Sequence, residues 1–425
     1  MPRVLLLATT TGYQTRAFGE SAERLGVDLV YATNRCDVLE DPWQDNALPI
    51  RFHDETASVA AILDAARRRP IDGVLAVGDR PTVIAALVLE RLGLPGHPPS
   101  AAAAARNKLL TRERLRDAGL PVPPFVPAHL SADAYALASS LTFPSVVKPL
   151  ALSGSRGVMR VDDGDQLVES FSRLRALLRA PDIRAERGDA DGMVLVEGFI
   201  EGREFALEGV MNHGALQMLA LFDKPDRLDG PFFEETIYVT PSAESPLTRQ
   251  AIVEGVSRAA RALGLRHGPV HAECRVNDLG VFVLEVAARP IGGLCARALR
   301  FGRGTGPSIS LEELLLRHAL GETSEDWQRE PSASGVMMIP IPRGGVFRRV
   351  EGIDHARRVT GVEDVRITAK PDQILVPLPE GASYLGFIFA RAAGARDVER
   401  ALRAAHACLE FTIDPRVPVV QSPHG

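Results

Sequence analysis

One twenty-residue stretch, His271 to Pro290 (HAECRVNDLGVFVLEVAARP), constrains the fold of this chain most. Two alternating apolar runs flank Asp278-Leu279-Gly280, which suits a three-residue hairpin loop with Gly280 in the left-handed backbone region. That loop sets a register in which Asn277 faces Val281, Arg275 faces Val283, Glu273 faces Glu285 and His271 faces Ala287. One face then carries Ala272, Cys274, Val276, Phe282, Leu284, Val286 and Ala288, wholly apolar and so the core side. The other carries His271, Glu273, Arg275 and Glu285. Carboxylates directly opposed across a strand pair repel, so this register calls for a cation. A hard oxygen set that leaves room for water and phosphate suits Mg2+. A two- or four-residue loop would instead put the glutamates on opposite faces, with Arg275 in a surface salt bridge.

The rest of the chain reads as three parts. In residues 1–98, strands at Val4–Ala8, Asp28–Ala32 and Gly73–Val77 alternate with helices at Arg16–Leu25, Ser58–Arg69 and Val83–Leu92. This alternation predicts an open parallel sheet with helices on both faces, a Rossmann-like α/β domain. The run Leu94-Pro95-Gly96-His97-Pro98-Pro99 marks a boundary. Residues 99–330 begin with a helix pair and then turn antiparallel, with strands at Ser145–Lys148, Val158–Val161, Met193–Ile200, Glu204–Val210 and Ala215–Phe222. Arg179–Gly192 is polar and reads as a surface loop. Residues 331–425 mix strands with a late helix, Val398–Leu409, and read as a C-terminal α+β lobe.

Composition removes whole classes of function. A net charge of −5 gives no electrostatic footing for nucleic acid or an acidic membrane surface. Cys36, Cys274, Cys295 and Cys408 form no CxxC pair, which argues against zinc and a disulfide framework and suits a reducing cytoplasm. The apolar run Val4–Ala8 is too short for a signal peptide, and no run reaches the ~20 residues of a membrane helix. Of 49 basic residues only Lys108, Lys148, Lys224 and Lys370 are lysine. Lysine is a compact charge that suits phosphate, and Lys148 stands directly before the small-residue loop of SVVKPLALSGSRGVMRV, residues 145–161. Lysine before glycine fits neither a Walker loop nor a GxGxxG fingerprint.

Taken with the hairpin, an antiparallel lid carrying such a loop resembles the ATP-grasp superfamily, over nearly the whole chain. Within it the chain is most similar to L-amino-acid ligases and carnosine-synthase-like carboxylate–amine ligases. The resemblance rests on His271-Ala272-Glu273, on Glu285-Val-Ala-Ala-Arg289 and on the turn Pro290-Ile-Gly-Gly293. It implies an α/β fold with an N-terminal parallel domain (1–98), a central ATP-grasp unit (99–330) with an antiparallel α+β lid at about 130–205 and an ATP-binding core, and the C-terminal lobe (331–425). It implies ATP and Mg2+, with Mn2+ as a substitute. Lys108, Lys148, Ser153, Gly154, Ser155 and Gly157 would contact phosphate. Glu197, Phe199 and Ile200 would hold adenine, and Glu204 the ribose. Glu273 and Glu285 would bind metal, and Arg289 would stabilise charge at the reacting centre. His271, Arg289, Gly292 and Gly293 would line the substrate.

The implied reaction is ATP-dependent amide formation between an amino acid and an amine or second amino acid, through an acyl phosphate. The expected partners are thus small-molecule carboxylates and amines, in a cytoplasmic protein whose default assembly is a homodimer. The rivals are other ATP-grasp enzymes, biotin-carboxylase-like or of nucleotide biosynthesis, and an ATP-binding regulatory protein without turnover. One position departs from the common pattern. Ala287 stands where many ATP-grasp enzymes place a metal-binding asparagine, which leaves the number of Mg2+ ions open. Several residues keep a second reading from sequence alone. Glu204 and Glu208 fit a solvent-facing strand side, Lys224 a solvated loop, and Arg289 an ion pair with Glu285. His271 fits a backbone hydrogen bond as well as substrate, and Asp79 is a candidate contact for the amine.

Overall fold

The computed structural model describes residues 1–9, 14–34, 47–185 and 192–416. Cys36 and most of the second half of the polar loop at 179–192 lie outside them. The first sheet is parallel in the order β3-β2-β1-β4, with β1 Arg3–Ala8, β2 Asp28–Thr33, β3 Leu48–Pro49 and β4 Gly73–Val77. β1 reads RVLLLA and β4 reads GVLAV, and their apolar side chains are buried. Continuous apolar strands of this kind need cover on both faces. Helices Thr15–Leu25, Glu55–Arg68 and Thr82–Leu92 supply it.

The lid is a four-stranded antiparallel sheet in the order β5-β8-β6-β7, formed by β5 Phe125–His129, β6 Ser145–Pro149, β7 Met159–Val161 and β8 Met193–Gly198. Its helix, Gly164–Leu178, starts on Asp163, whose carboxylate accepts the Gln166 amide. Leu167, Phe171, Leu174 and Leu178 recur at helical spacing and bury one stripe against the sheet.

The central sheet begins with the hairpin β12 Gly268–Asn277 and β13 Gly280–Ala287, and continues through β9 Arg203–Asn212, β10 Ala215–Asp223 and β11 Ile237–Thr240. Ala333–Ile339, Gly386–Ala392 and Val362–Ile367 then extend it to eight strands. The strands read from sequence as a separate C-terminal lobe therefore prolong the sheet that carries the hairpin. Among the described residues no helix is long and apolar enough to cross a membrane.

Candidate active site

The hairpin differs from its predicted form in one detail that the register then cancels. Asn277 pairs with Gly280, so the connection is two residues, Asp278 and Leu279, rather than three. The Asn277 side chain accepts the Leu279 amide and closes the turn. A two-residue loop alone would throw the glutamates onto opposite faces. A bulge at Leu284, between the Glu273–Glu285 and Cys274–Val283 pairs, absorbs the extra residue. Glu273 and Glu285 therefore still oppose each other, while Ala272, Cys274, Val283 and Val286 enter the core.

The polar face of the hairpin continues onto β9, where Glu204 pairs with Arg275 and Glu208 with His271. Neither glutamate is solvent-facing: Glu208 is fully buried and Glu204 is 8% exposed. Glu208 accepts from His271 Nδ1 at 3.1 Å and from the Ile291 amide at 3.1 and 3.2 Å, so it anchors the start of the Gly292-Gly293 turn. His271 Nε2 lies 3.6 Å from Glu273. Burial alone would strip the imidazole of its proton, but Glu208 and Glu273 hold its pKa up at about 9. Arg275 spends its fork on Glu204 (2.9 Å) and on the carbonyls of Ile200 (2.6 Å) and Leu228.

Lys224 is buried, not solvated. Its ammonium donates to Glu204 at 2.8 Å and Glu235 at 2.6 Å and lies 3.2 Å from Glu273. Glu204, Glu235 and Glu273 bring carboxylate oxygens within 4.8 Å of one another, close enough to hold a cation, and the lysine already supplies that charge. Glu285 is different. It lines the cavity and has no hydrogen-bond or ion-pair partner among the described residues. A half-buried, unpaired carboxylate opposite a second carboxylate fits a hard divalent cation such as Mg2+.

Arg289 does not pair with Glu285. Its Nε and Nη2 meet the two carboxylate oxygens of Asp79 at 2.8 and 3.0 Å, and Nη1 donates to the Pro290 carbonyl at 2.9 Å. Asp79 follows β4, at the carboxyl edge where parallel sheets present ligands. The pair thus ties the N-terminal domain to the hairpin across 210 residues of chain.

From the lid side, Lys148 points into the same space. Its partner is Glu197, which also takes a bidentate fork from Arg112 at 2.7 and 3.1 Å. Burial opposes the ionisation of Glu197, but Arg112 and Lys148 hold its pKa down at about 2. The Glu197 carboxylate is accordingly committed to these cations rather than open to a base. Arg112 was missed in the sequence, although it sits four residues after Lys108 on helix Lys108–Asp117, hence on the same helical face. Lys108 donates to the Leu152 carbonyl at 2.6 Å, at the root of the small-residue loop.

These groups line one cavity of about 320 Å3. Its wall includes Lys108, Lys148, Ser153, Gly154, Ser155, Glu197, Phe199, Ile200, Glu204, His271, Glu273, Glu285, Arg289, Gly292 and Gly293. Gly157 lies outside it. Its φ is +75°, a Cβ there would crowd Leu174, Leu177 and Pro149, and its amide donates to the Pro379 carbonyl. The wall also holds Glu235, Tyr238, Cys295, Met338 and Tyr384, which come from loops, from the helical turn Cys295–Ala298 and from the far strands of the central sheet. Sequence reading had no local pattern by which to find the last four.

Burial, followed by the neighbouring cations Arg112 and Lys108, lowers the Lys148 pKa to about 8, although Glu197 opposes the fall. A lysine with a depressed pKa is charged below that value and neutral above it. If Lys148 contacts phosphate, kcat/KM for ATP, which reports the free enzyme, should be level up to about pH 8 and then fall by up to roughly tenfold per pH unit. A profile level to pH 9.5 would remove Lys148 from the nucleotide site.

A parallel α/β domain, an antiparallel lid and a carboxylate-bearing hairpin closing on one cavity define an ATP-grasp fold. Comparison with known proteins agrees. The ATP-grasp N-terminal domain matches residues 19–96, the ATP-grasp domain residues 141–298, and the L-amino acid ligase C-terminal domain 2 residues 337–414. The chain belongs to the ATP-grasp family, in its L-amino acid ligase and carboxylate–amine ligase branch. It superposes on the crystal structure of an L-amino acid ligase from Bacillus licheniformis with a TM-score of 0.81 and 28% identity, over 97% of this chain and 99% of that one. It is 30% identical over 258 residues to a D-alanine–D-alanine ligase of Ralstonia pickettii, covering 57% of this chain and 73% of the relative. It is 32% identical over 260 residues to carnosine synthase 1 of Mus musculus, covering 58% of this chain. The matched region is 31% of that synthase, so the chain spans about a third of the length of the carnosine synthases it matches.

Proposed function

We propose that this protein is an ATP-dependent ligase that joins the carboxylate of one amino acid to the amine of a second amino acid or other amine. The observation that carries the reading is the convergence of Lys108, Lys148, the Glu273–Glu285 pair and Arg289 on one cavity. In the reaction a substrate carboxylate oxygen attacks the γ-phosphorus of ATP, ADP leaves, and an acyl phosphate forms. The amine then attacks the acyl carbon, inorganic phosphate leaves, and the amine loses a proton. Such phosphoryl transfer depends on positioning and charge neutralisation.

Glu273 and Glu285 would hold Mg2+, which when bound offsets charge on the phosphate oxygens. Lys148 from the lid and Lys108 from helix Lys108–Asp117 would meet the phosphates, with Glu197 and Arg112 fixing where Lys148 points. Ser153, Gly154 and Ser155 would offer backbone amides and hydroxyls to the phosphates. Phe199 and Ile200 would lie along adenine, and Glu204 would face the ribose. Arg289, fixed by Asp79, would present its remaining N–H groups to the transferring phosphoryl group or the tetrahedral oxyanion. His271, Gly292 and Gly293 would border the acyl substrate.

The polar balance of the cavity favours an amino acid over a phosphorylated substrate. Both arginines in its wall are already engaged, Arg275 with Glu204 and the Ile200 and Leu228 carbonyls and Arg289 with the Asp79 carboxylate, so neither offers a free bidentate face to a substrate phosphate. The relatives named as L-amino acid ligase and D-alanine–D-alanine ligase point the same way. Incubation with ATP, Mg2+ and a panel of amino acids should release phosphate together with a condensed product, followed by phosphate assay and product mass. Panel-independent ATP cleavage, or stimulation by bicarbonate or a ribonucleotide instead, would move the protein to another ATP-grasp chemistry.

A further inference from the structure

The segment 376–384 lies between the far end of the central sheet and the lid, and the site described above gives most of it no task. Its backbone reaches the small-residue loop directly. The Pro379 carbonyl accepts the Gly157 amide at 2.8 Å, and the Glu380 carbonyl accepts Arg156 Nε at 2.8 Å. The Glu380 carboxylate then takes the Arg173 fork, Nε to Oε1 at 2.9 Å and Nη2 to Oε2 at 3.0 Å. Arg173 belongs to lid helix Gly164–Leu178, whose Leu174 and Leu177 border Gly157. One residue thus grips both the loop and the helix behind it. The turn that presents Glu380 is tight. The Gly381 amide donates to the Pro377 carbonyl at 2.8 Å, and a Cβ on Gly381 would lie 1.8 Å from the Val376 carbonyl oxygen.

The same segment runs on into the cavity. Ala382 and Tyr384 line it, and a Cβ on Gly154 would come within 3.9 Å of Ala382. Tyr384 also packs edge-on to Phe387 in the central sheet, with ring centroids 6.0 Å apart. One short stretch therefore borders the substrate space at one end and holds the phosphate loop at the other.

We propose that residues 376–384 form a strap that couples occupancy of the substrate end of the cavity to closure of the phosphate loop, with Glu380 as its positioning residue. The coupling part of this inference rests on the ligase reading above. A substrate lodged against Ala382 and Tyr384 steadies the strap, and the strap holds Arg156 and Gly157 in place over ATP. With the loop closed, water is kept out and the bound carboxylate is the acceptor. Without the grip the loop closes incompletely, and the γ-phosphoryl group passes to water, giving ADP and phosphate with no amide.

Glu380→Ala removes a partly exposed ion pair, so the fold should persist. Two readouts separate the strap from the ligase reading. The first needs no acceptor: limited trypsinolysis at Arg156 with a non-hydrolysable ATP analogue and Mg2+ should run about fivefold faster in Glu380→Ala than in the wild type, a loss the size of one partly exposed pair. The second is amide formed per phosphate released, which should fall to half or less. The double exchange Arg173→Glu with Glu380→Arg should restore both. Equal cleavage rates in the wild type and Glu380→Ala would overturn the strap. Faster cleavage with an unchanged product ratio would overturn the coupling. A wild type that forms no amide with any panel member would sink the ligase reading while leaving the cleavage result to decide the strap.

Discussion

Glutamine at position 285 should leave a folded protein whose turnover falls by roughly a hundred- to a thousandfold, the cost typical of removing one electrostatic group from a reacting centre. The argument lies in how unequal the two hairpin glutamates are. Glu273 already has neighbours: the Lys224 ammonium at 3.2 Å and the Tyr238 hydroxyl at 3.3 Å. Glu285 has no hydrogen-bond or ion-pair partner among the described residues and faces Glu273 across the strand pair. In the absence of metal its charge is a burden, because opposed like charges in a sheet are destabilising by about 0.2–1 kcal/mol. Glu285→Gln removes the repulsion and keeps the shape. Metal-free thermal melting should therefore stay level or rise, while Mg2+-dependent ATP turnover collapses. Protein stability and activity moving in opposite directions is a signature that a structural glutamate would not give. Full activity in Glu285→Gln would show that the metal is held elsewhere.

The same hairpin shows what a sequence can and cannot disclose. The opposition of Glu273 and Glu285 was legible because an apolar face and a polar face must separate on a two-sided sheet. The route was misread. The turn has two residues, and a bulge at Leu284 restores the pairing. The bulge leaves little trace in the sequence, since Leu284 is apolar like the residues 281–283 before it. The N-terminal sheet was legible for the opposite reason, because β1 and β4 are unbroken apolar runs that only a doubly covered sheet accommodates. Residues whose burial depends on distant chain were not legible. Lys224 and Glu208 look solvent-facing locally, and each is enclosed by segments tens of residues away. Likewise, nothing near residues 376–384 in sequence says that they lie against a loop more than two hundred residues earlier.

Arg289→Lys should lower kcat by roughly a hundred- to a thousandfold, again on the scale of a lost charge-stabilising group, while changing KM for ATP by less than about threefold. Arginine here is a fork held open on one side. Asp79 takes Nε and Nη2, Pro290 takes one Nη1 hydrogen, and what remains is aimed by that grip. Burial works against its charge, and Asp79 more than compensates, so the guanidinium pKa lies above its ordinary value. Lysine keeps the charge, yet a single ammonium cannot satisfy both oxygens of Asp79 and also reach the reacting centre. The loss should therefore fall on the chemical step rather than on nucleotide binding. Asp79 supplies the control. If it acts through Arg289, Asp79→Asn should cost about tenfold in kcat, the low end for a supporting contact, and adding it to Arg289→Lys should cost almost nothing further. Effects that multiply instead would mean that the two residues act independently, and Asp79 would then be better placed as a direct contact for the incoming amine.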